Sequence, residues 1–517
     1  VICVKEFPKN DTLFNANSFD CMTIRYSASW LNSAQTTIHS DTRTGEILNA
    51  SILINANMIS VQYADRIGAT VAIDPRVRTT VFPQEIQGEL IQAAIAQAVG
   101  TGLGLTMNWG ASCAYPVDSL RSASFTQKYG LASSVMGGVI INDVATEEDV
   151  RNGVCLVNTK PGPYDELVIK YLYQPIYASS LQEEKETLDS WIREHTGDPY
   201  YAYIRNQSRF DSDPRNSRGS LGDDHLKSFD YMLPNVRKGF ENYYSWFAKE
   251  DRDFLMRRRV HSALSERLSG RIYAILSYIG GIYLNDIREK DAIPSYSMVD
   301  REKQKAALSK ALELAKNLDW VDDTAHLNEF EISDKKADRL RLDIFNGIFG
   351  RLPYVEVCTE RFPDAAYTAS EYLDDIYGIV WEGVLKHRPL ENFERALQTA
   401  FLESIISTST ATAPIGSFKA SKTGFAATGK PEINLAALRN GGKVDMKMYS
   451  LQNAEEVAGF SSIPPIYTNQ TKIAAYYFDL LMRTKDMLKK AISTAPEADR
   501  SHYDLLIYRI NKATEIE

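Results

Sequence analysis

The sequence predicts an α+β protein, with a mixed α/β part over residues 1–180 and a mostly α-helical part over 181–517. Three observations carry this prediction. Segments rich in β-branched residues and bounded by turn residues concentrate before residue 75. From about residue 180 onward, apolar residues recur at helical spacing. A chain of 517 residues, 44% hydrophobic and 24% charged, fits roughly two to four soluble domains with sizeable cores.

In chain order, Cys21–Tyr26 and Ile52–Ala56 carry the residues of strands. Between them Asp41–Ile47 reads as a turn into a strand, with Gly45 the residue expected at positive φ. Thr70–Asp74 reads as another short strand. A helix is expected over 83–103. Pro83 suits its first position, Glu85 suits the N-terminal dipole, and Ile86, Leu90, Ala94, Ile95, Ala98 and Val99 recur at helical spacing. Gly100, Gly102 and Gly104 end it. A polar helical piece runs to Tyr129, Ser133–Gly138 forms a tight turn, and Gly162–Asp165 opens a short helix through Tyr173.

In the second part, a long helical stretch is expected over 236–280. A hairpin around Ile282–Leu284 is bracketed by Gly280–Gly281 and Pro294. A helix over 299–318 places Leu308, Ala311, Leu312 and Ala315 on one face. Further helices are expected near 333–348, 366–387 and 389–406. Residues 407–430 read as a flexible loop, and 470–491 with 497–513 as a helical hairpin. No repeat of solenoid period is present.

Charge and composition exclude several classes. With 58 basic and 67 acidic residues the net charge is −9, which argues against nucleic acid or an anionic membrane as a partner. No apolar run approaches the roughly 18 residues that a spanning helix needs. The five cysteines (Cys3, Cys21, Cys113, Cys155, Cys358) form no C-x-x-C pair and are expected mostly as small buried hydrophobes. The opening Val1-Ile2-Cys3-Val4 reads as mid-strand, so a fragment or processed form is expected, with any targeting signal upstream.

The stretch with most chemical information runs from Gln97 to Asn108. A helix that ends in glycines and turns back is the frame on which zinc peptidases mount H-E-x-x-H-x-x-G-x-x-H. Two imidazoles at i and i+4 face one metal, the adjacent glutamate takes a proton from metal-bound water, and a third imidazole follows the turn. In this chain the histidine positions hold Gln97, Thr101 and Met107, and the glutamate position holds Ala98. The turn glycine is Gly104, and a turn methionine, Met136, follows downstream. Taken alone, a glycine after a helix is its commonest ending.

The flanks extend the match. Val81–Leu90, Gly102–Leu105, Ala114–Arg121, Phe125–Leu131 and Ser134–Met136 resemble the large secreted bacterial zinc metallopeptidases of metzincin type, whose pattern reads H-E-V-G-H-T-L-G-L-R-H-N. Asp41–Ile47, Gly162–Asp165, Leu221–Asp224, His502-Tyr503 and Tyr508–Ile510 resemble further pieces in order. The resemblance implies a zincin-like domain over 1–180, a helical domain over 181–517, an extracytoplasmic location, and zinc in active relatives. By the same pattern Gln97, Thr101 and Met107 stand where zinc ligands would be and Ala98 where the general base would be. Gln, Thr and Met suit zinc poorly beside three imidazoles, and Ala98 cannot titrate.

The resemblance therefore implies an inactive homologue that needs no cofactor of its own. It would bind an unidentified peptide or protein in a groove, with Trp109 and Tyr115 as candidate lining, or support an active metallopeptidase paralogue. The alternative is an active hydrolase with an unrecognised metal site. The sequence offers little for one. No two of the seven histidines lie at i, i+3 or i+4. His225 after Asp223-Asp224 reads as a solvated helix start. Asp211, Asp213, Asp223 and Asp224 could hold a hard cation through oxygens, though not at EF-hand spacing. Lys419, Lys422 and Lys430 read as part of a solvated loop.

Overall fold

The structure is a computed structural model that describes residues 5–7, 15, 18–19, 21–31, 34–204, 212–216, 219–285, 287, 291, 293–323, 325–326, 336–408 and 470–514. The opening residues Val1–Val4, Asp211, the expected loop beyond residue 408 and its three lysines lie outside these.

Three strands form one sheet: β1 (Thr23–Ser27), β2 (Ala34–Ser40) and β3 (Ile47–Asn55), in the order β1-β3-β2. β1 runs parallel to β3 and β2 antiparallel to it, with Ile24 and Thr36 both opposite Ile52. The pleat puts Ile52 and Ile54 on one face, where they are buried against Met58, Ala94 and Ala98. Gly45 takes φ +77° in the turn before β3, as the sequence predicts.

Two helices follow. α1 (Met58–Thr70) occupies the region whose end reads as a strand in the sequence. Residues Val71–Ile73 instead form the turn after α1. There Arg66 reaches forward to pair with Asp74 at 2.6 Å, both side chains buried. A short buried apolar run does not distinguish a strand from a helix end by periodicity. α2 (Gln84–Gly102) matches the expected helix, with Pro83 one position earlier than predicted, as an extended N-cap. Ile86 and Leu90 are fully buried, each contributing about 1.5–3 kcal/mol.

Short helices come next: α3 (Ala123–Tyr129), α4 (Glu147–Arg151), α5 (Pro163–Tyr173) and α6 (Leu181–Arg193). The stretch expected over 236–280 is two helices, α7 (His225–Phe247) and α8 (Leu255–Leu276). Asp224 caps α7 by accepting from the backbone N–H of Leu226 at 2.9 Å and Lys227 at 3.2 Å, so that helix begins earlier. Phe254, left-handed at φ 61°, separates it from α8. The predicted hairpin is β4 (Ile282–Leu284) with β5 (Tyr296–Met298).

α9 (Arg301–Lys316) buries Leu308, Ala311, Leu312 and Ala315 as its spacing predicts. α10 (Lys336–Gly350) is followed by α11 (Leu352–Arg361), which the sequence reading missed. Its Pro353 reads as a breaker but sits in the first turn, where no N–H is needed. α12 (Ala369–Val380), α13 (Glu382–Leu385), α14 (Asn392–Thr408), α15 (Gln470–Ala491) and α16 (Glu497–Thr514) complete the described chain. One contiguous apolar core runs from Ile86 and Leu90 of α2 through Phe229 and Leu264 to Tyr503 of α16.

Candidate functional site

The site is built where α2 stops. Its last two turns replace large apolar residues with Ala98, Gly100 and Gly102, all buried. Small residues let the helix approach its neighbours closely. Thr36 of β2 donates its hydroxyl to the Ala98 carbonyl at 3.2 Å. Gly104 takes φ +90°, which side-chain-bearing residues rarely adopt. Its N–H donates to Thr101 O at 2.9 Å, and Leu105 N–H donates to Gly100 O at 3.0 Å. These two bonds close a Schellman ending and turn the chain back under the helix.

That turn brings two of the predicted positions together. The Gln97 carboxamide donates through Nε2 to Met107 Sδ at 3.1 Å. Thr101, one helical turn on from Gln97, directs its hydroxyl back to the Gln97 carbonyl at 3.2 Å. All three are half-buried. Ala98 does not join them: it is buried on the sheet side with Ile52, Ile54 and Met58. A carboxamide, a hydroxyl and a thioether that bond to one another and to the backbone do not fit zinc, which takes thiolate, imidazole or carboxylate ligands.

Met136 lies beneath. It is fully buried in a 3-10 turn, Val135–Gly137, with Leu105 as a packing neighbour and Met107, Val168 and Ile169 at the edge. The Ser134 hydroxyl accepts from Met136 N–H at 2.9 Å. The buried Asp165 carboxylate holds this turn to the start of α5. It accepts from Ser134 Oγ at 2.5 Å, and from Val135 N–H and Gly162 N–H at 2.9 Å each. Burial pushes the Asp165 carboxyl above its ordinary pKa, against the downward pull of these donors.

Asn108 is a structural hub to which the sequence reading assigned no role. It is fully buried, and its N–H donates to Met136 O at 3.0 Å. Its side chain donates to Ala202 O at 2.9 Å and accepts from Ile204 N–H at 3.1 Å. It thus ties the segment before residue 205 to the turn. The signal available was its place at the end of the glycine-turn pattern.

The two candidate groove residues separate. Trp109 is half-buried, beside Gly138. Tyr115 does not line a surface: it is only 1% exposed, edge-on to Phe125 and Tyr200 in a separate apolar cluster. Its ring meets Phe125 of α3, and its hydroxyl donates to Tyr129 O at 3.4 Å.

The acidic positions are engaged elsewhere. Asp213 pairs with Arg215 at 2.7 Å, Asp223 accepts from Val117 N–H at 3.1 Å, and Asp224 caps α7 and bridges Lys303 at 3.0 Å. His225 begins a helix as predicted but is buried rather than solvated. Its ring stacks on Tyr278, and Nε2–H donates to Pro214 O at 2.9 Å. Among the described residues no group of three His, Cys, Asp or Glu could hold a metal ion. No described helix is long and apolar enough to cross a membrane.

A helix that ends in a glycine turn over a buried turn methionine is the frame that zinc peptidases of the metzincin class use. The Met-zincin family model matches residues 79–388, well over half of the chain, and the chain belongs to that family. The match starts just before α2 and ends after α13. Neither the curated proteins nor the solved structures give a match.

Proposed function

We propose that this Met-zincin binds peptide or protein segments without cleaving them. The contact between Gln97 and Met107 carries the reading. At two of the positions where the resembled pattern places zinc ligands, the side chains bond each other, and the base position is an alanine buried against the sheet. The binding half rests on β2, an edge strand among the described residues, which reaches α2 at the Ala98 carbonyl. An extended segment can add to such an edge through main-chain hydrogen bonds. An extracytoplasmic setting and an active paralogue as partner are consistent with the family's chemistry.

Two measurements test this. Protein purified without added metal is expected to hold zinc well below one equivalent and to leave casein and gelatin intact. Stoichiometric zinc with cleavage would overturn the reading. In a peptide-array screen, ligands are expected to lose affinity when alternate backbone nitrogens are methylated, because a methylated amide cannot donate across a strand pair. Equal binding of methylated and unmethylated forms sinks strand addition.

A further inference from the structure

Beside the glycine turn, α5 and the segment after it carry apolar side chains out onto the surface. Leu172 and Tyr173 are about half exposed, while Tyr177 is 98% and Leu181 84% exposed. Soluble proteins usually bury side chains of this size, and exposed ones gathered in one short stretch, 172–181, mark an interaction surface. The ridge is continuous with the site. Tyr173 donates its hydroxyl to Leu103 O at 2.8 Å, and Leu172 lies over Gly104.

The rim of this ridge is acidic. α6 buries none of its residues. Over 181–194 the chain has five carboxylates (Glu183, Glu184, Glu186, Asp189, Glu194) against Lys185 and Arg193. Lys170 sits over the Trp191 ring at 4.4 Å, so one nearby cation is already engaged in a ring contact. The whole chain is also negative. An anionic membrane would be repelled, whereas a cationic segment is steered toward the ridge.

We propose that this ridge docks a cationic polypeptide segment rich in aromatic or aliphatic residues, the continuation of the segment held along β2. Its apolar side chains pack on Tyr173, Tyr177 and Leu181, and its lysines or arginines meet Glu184 and Glu186. This rests on the peptide-binding reading and names the chemistry of the ligand.

The test titrates the full chain with a synthetic dodecapeptide of alternating Phe and Lys. Controls replace Lys by Glu, replace Phe by Ser, or carry alternate N-methyl groups. The Phe/Lys peptide is expected to bind, and the Glu and Ser peptides to bind at least tenfold more weakly on the order of an interface hot spot. The double variants Y177S/L181S and E184K/E186K are each expected to weaken binding by roughly tenfold. Raising salt from about 50 to about 300 mM is expected to weaken it several-fold. Equal binding of the Glu peptide, or unchanged affinity in both double variants, overturns the ridge. If N-methylation abolishes binding while the variants do nothing, the β2 reading stands and the ridge falls. If the variants abolish binding while N-methylation does nothing, the ridge stands and strand addition falls. Partition onto phosphatidylcholine vesicles through Tyr177 and Leu181, without peptide binding, also overturns the proposal.

Discussion

Met136 Sδ fills the space that a side chain on Gly100 would need, lying 2.6 Å from where a Cβ would stand. The contact gives a physical reason for glycine at this position. Met136 is fully buried, so its side chain has little room to move aside. Gly100→Ala is expected to lower stability by about 1–2 kcal/mol, overpacking outweighing the helix propensity gained. Met136→Ala leaves a cavity and is expected to cost about 2–5 kcal/mol. Chemical denaturation of both variants and the double variant should give a cycle in which the double loses clearly less than the sum, because truncating Met136 makes room for the new methyl. Strict additivity would show that the two do not touch.

The buried Asp143 carboxylate joins the chain after the methionine turn to α8. Arg267 Nε bonds it at 2.6 Å, Arg271 Nε bonds it at 2.9 Å, and Arg271 Nη2 makes a third contact. Burial alone would raise the Asp143 pKa, but the two guanidiniums hold it below the ordinary carboxylate value. Removing the anion strands two cations, one of them fully buried, whereas removing one arginine leaves a partner in place. Asp143→Ala is therefore expected to cost about 3–5 kcal/mol, and Arg267→Met distinctly less. Urea midpoints in the reverse order would refute this account of the network.

Much of this architecture was legible in the sequence. α2, α9 and the α15–α16 hairpin were readable because each buries a long stripe at helical spacing. Gly45 and Gly104 were readable because positive φ selects glycine. What was missed depends on tertiary context. β2 (Ala34-Gln35-Thr36-Thr37-Ile38-His39-Ser40) has few apolar residues and owes its place to pairing with β3. α1 holds a buried Arg66 that Asp74 and Thr70, both met only in the folded turn, make tolerable. Tyr115 reads equally well as groove or core, and only its neighbours Phe125 and Tyr200 decide. At the site, which residue types stand at positions 97, 98, 101 and 107 was plain from the sequence. The contact of Gln97 with Met107 required the turn to be closed in space.

His225 supplies a pH dependence. Burial, the largest cause, depresses its pKa to about 4 from 6.5, with Arg271 and Lys303 adding to the effect. The bond to Pro214 and the charge of Asp224 pull the other way. Below pH 6.5 the unfolded chain binds a proton that the folded chain refuses until about pH 4. The stability contribution is thus complete above 6.5 and is lost as pH falls toward 4, by about 3 kcal/mol over the window. His502, also depressed to about 4 by burial, acts in the same direction. Denaturation from about pH 7 to about pH 4.5 should show His225→Gln losing less of its own neutral-pH stability than the parent. Parallel curves would mean that the ring does not titrate in this way.

We propose that Gln97, Thr101 and Met107 stand where active relatives carry zinc ligands, and Ala98 where they carry the general base. Gln97 and Thr101 lie one turn apart on α2, and the Gln97 amide already reaches Met107 Sδ. Imidazoles at 97, 101 and 107 would approach one point from the same sides. The triple variant Gln97→His, Thr101→His, Met107→His is expected to raise zinc content from well below one equivalent to about one, as three histidines with an open fourth position do in catalytic sites. It is expected to leave casein uncut, because Ala98 offers no group to take a proton from metal-bound water. Adding Ala98→Glu tests the remaining step at a measurable cost. The position is packed against Ile52 and Met58, so the carboxylate must either bend toward the metal or pay for burial, and metal should raise the melting temperature of this variant. Failure of the triple variant to bind zinc would mean that the three positions do not converge, and the account of a replaced zinc site would fall with it.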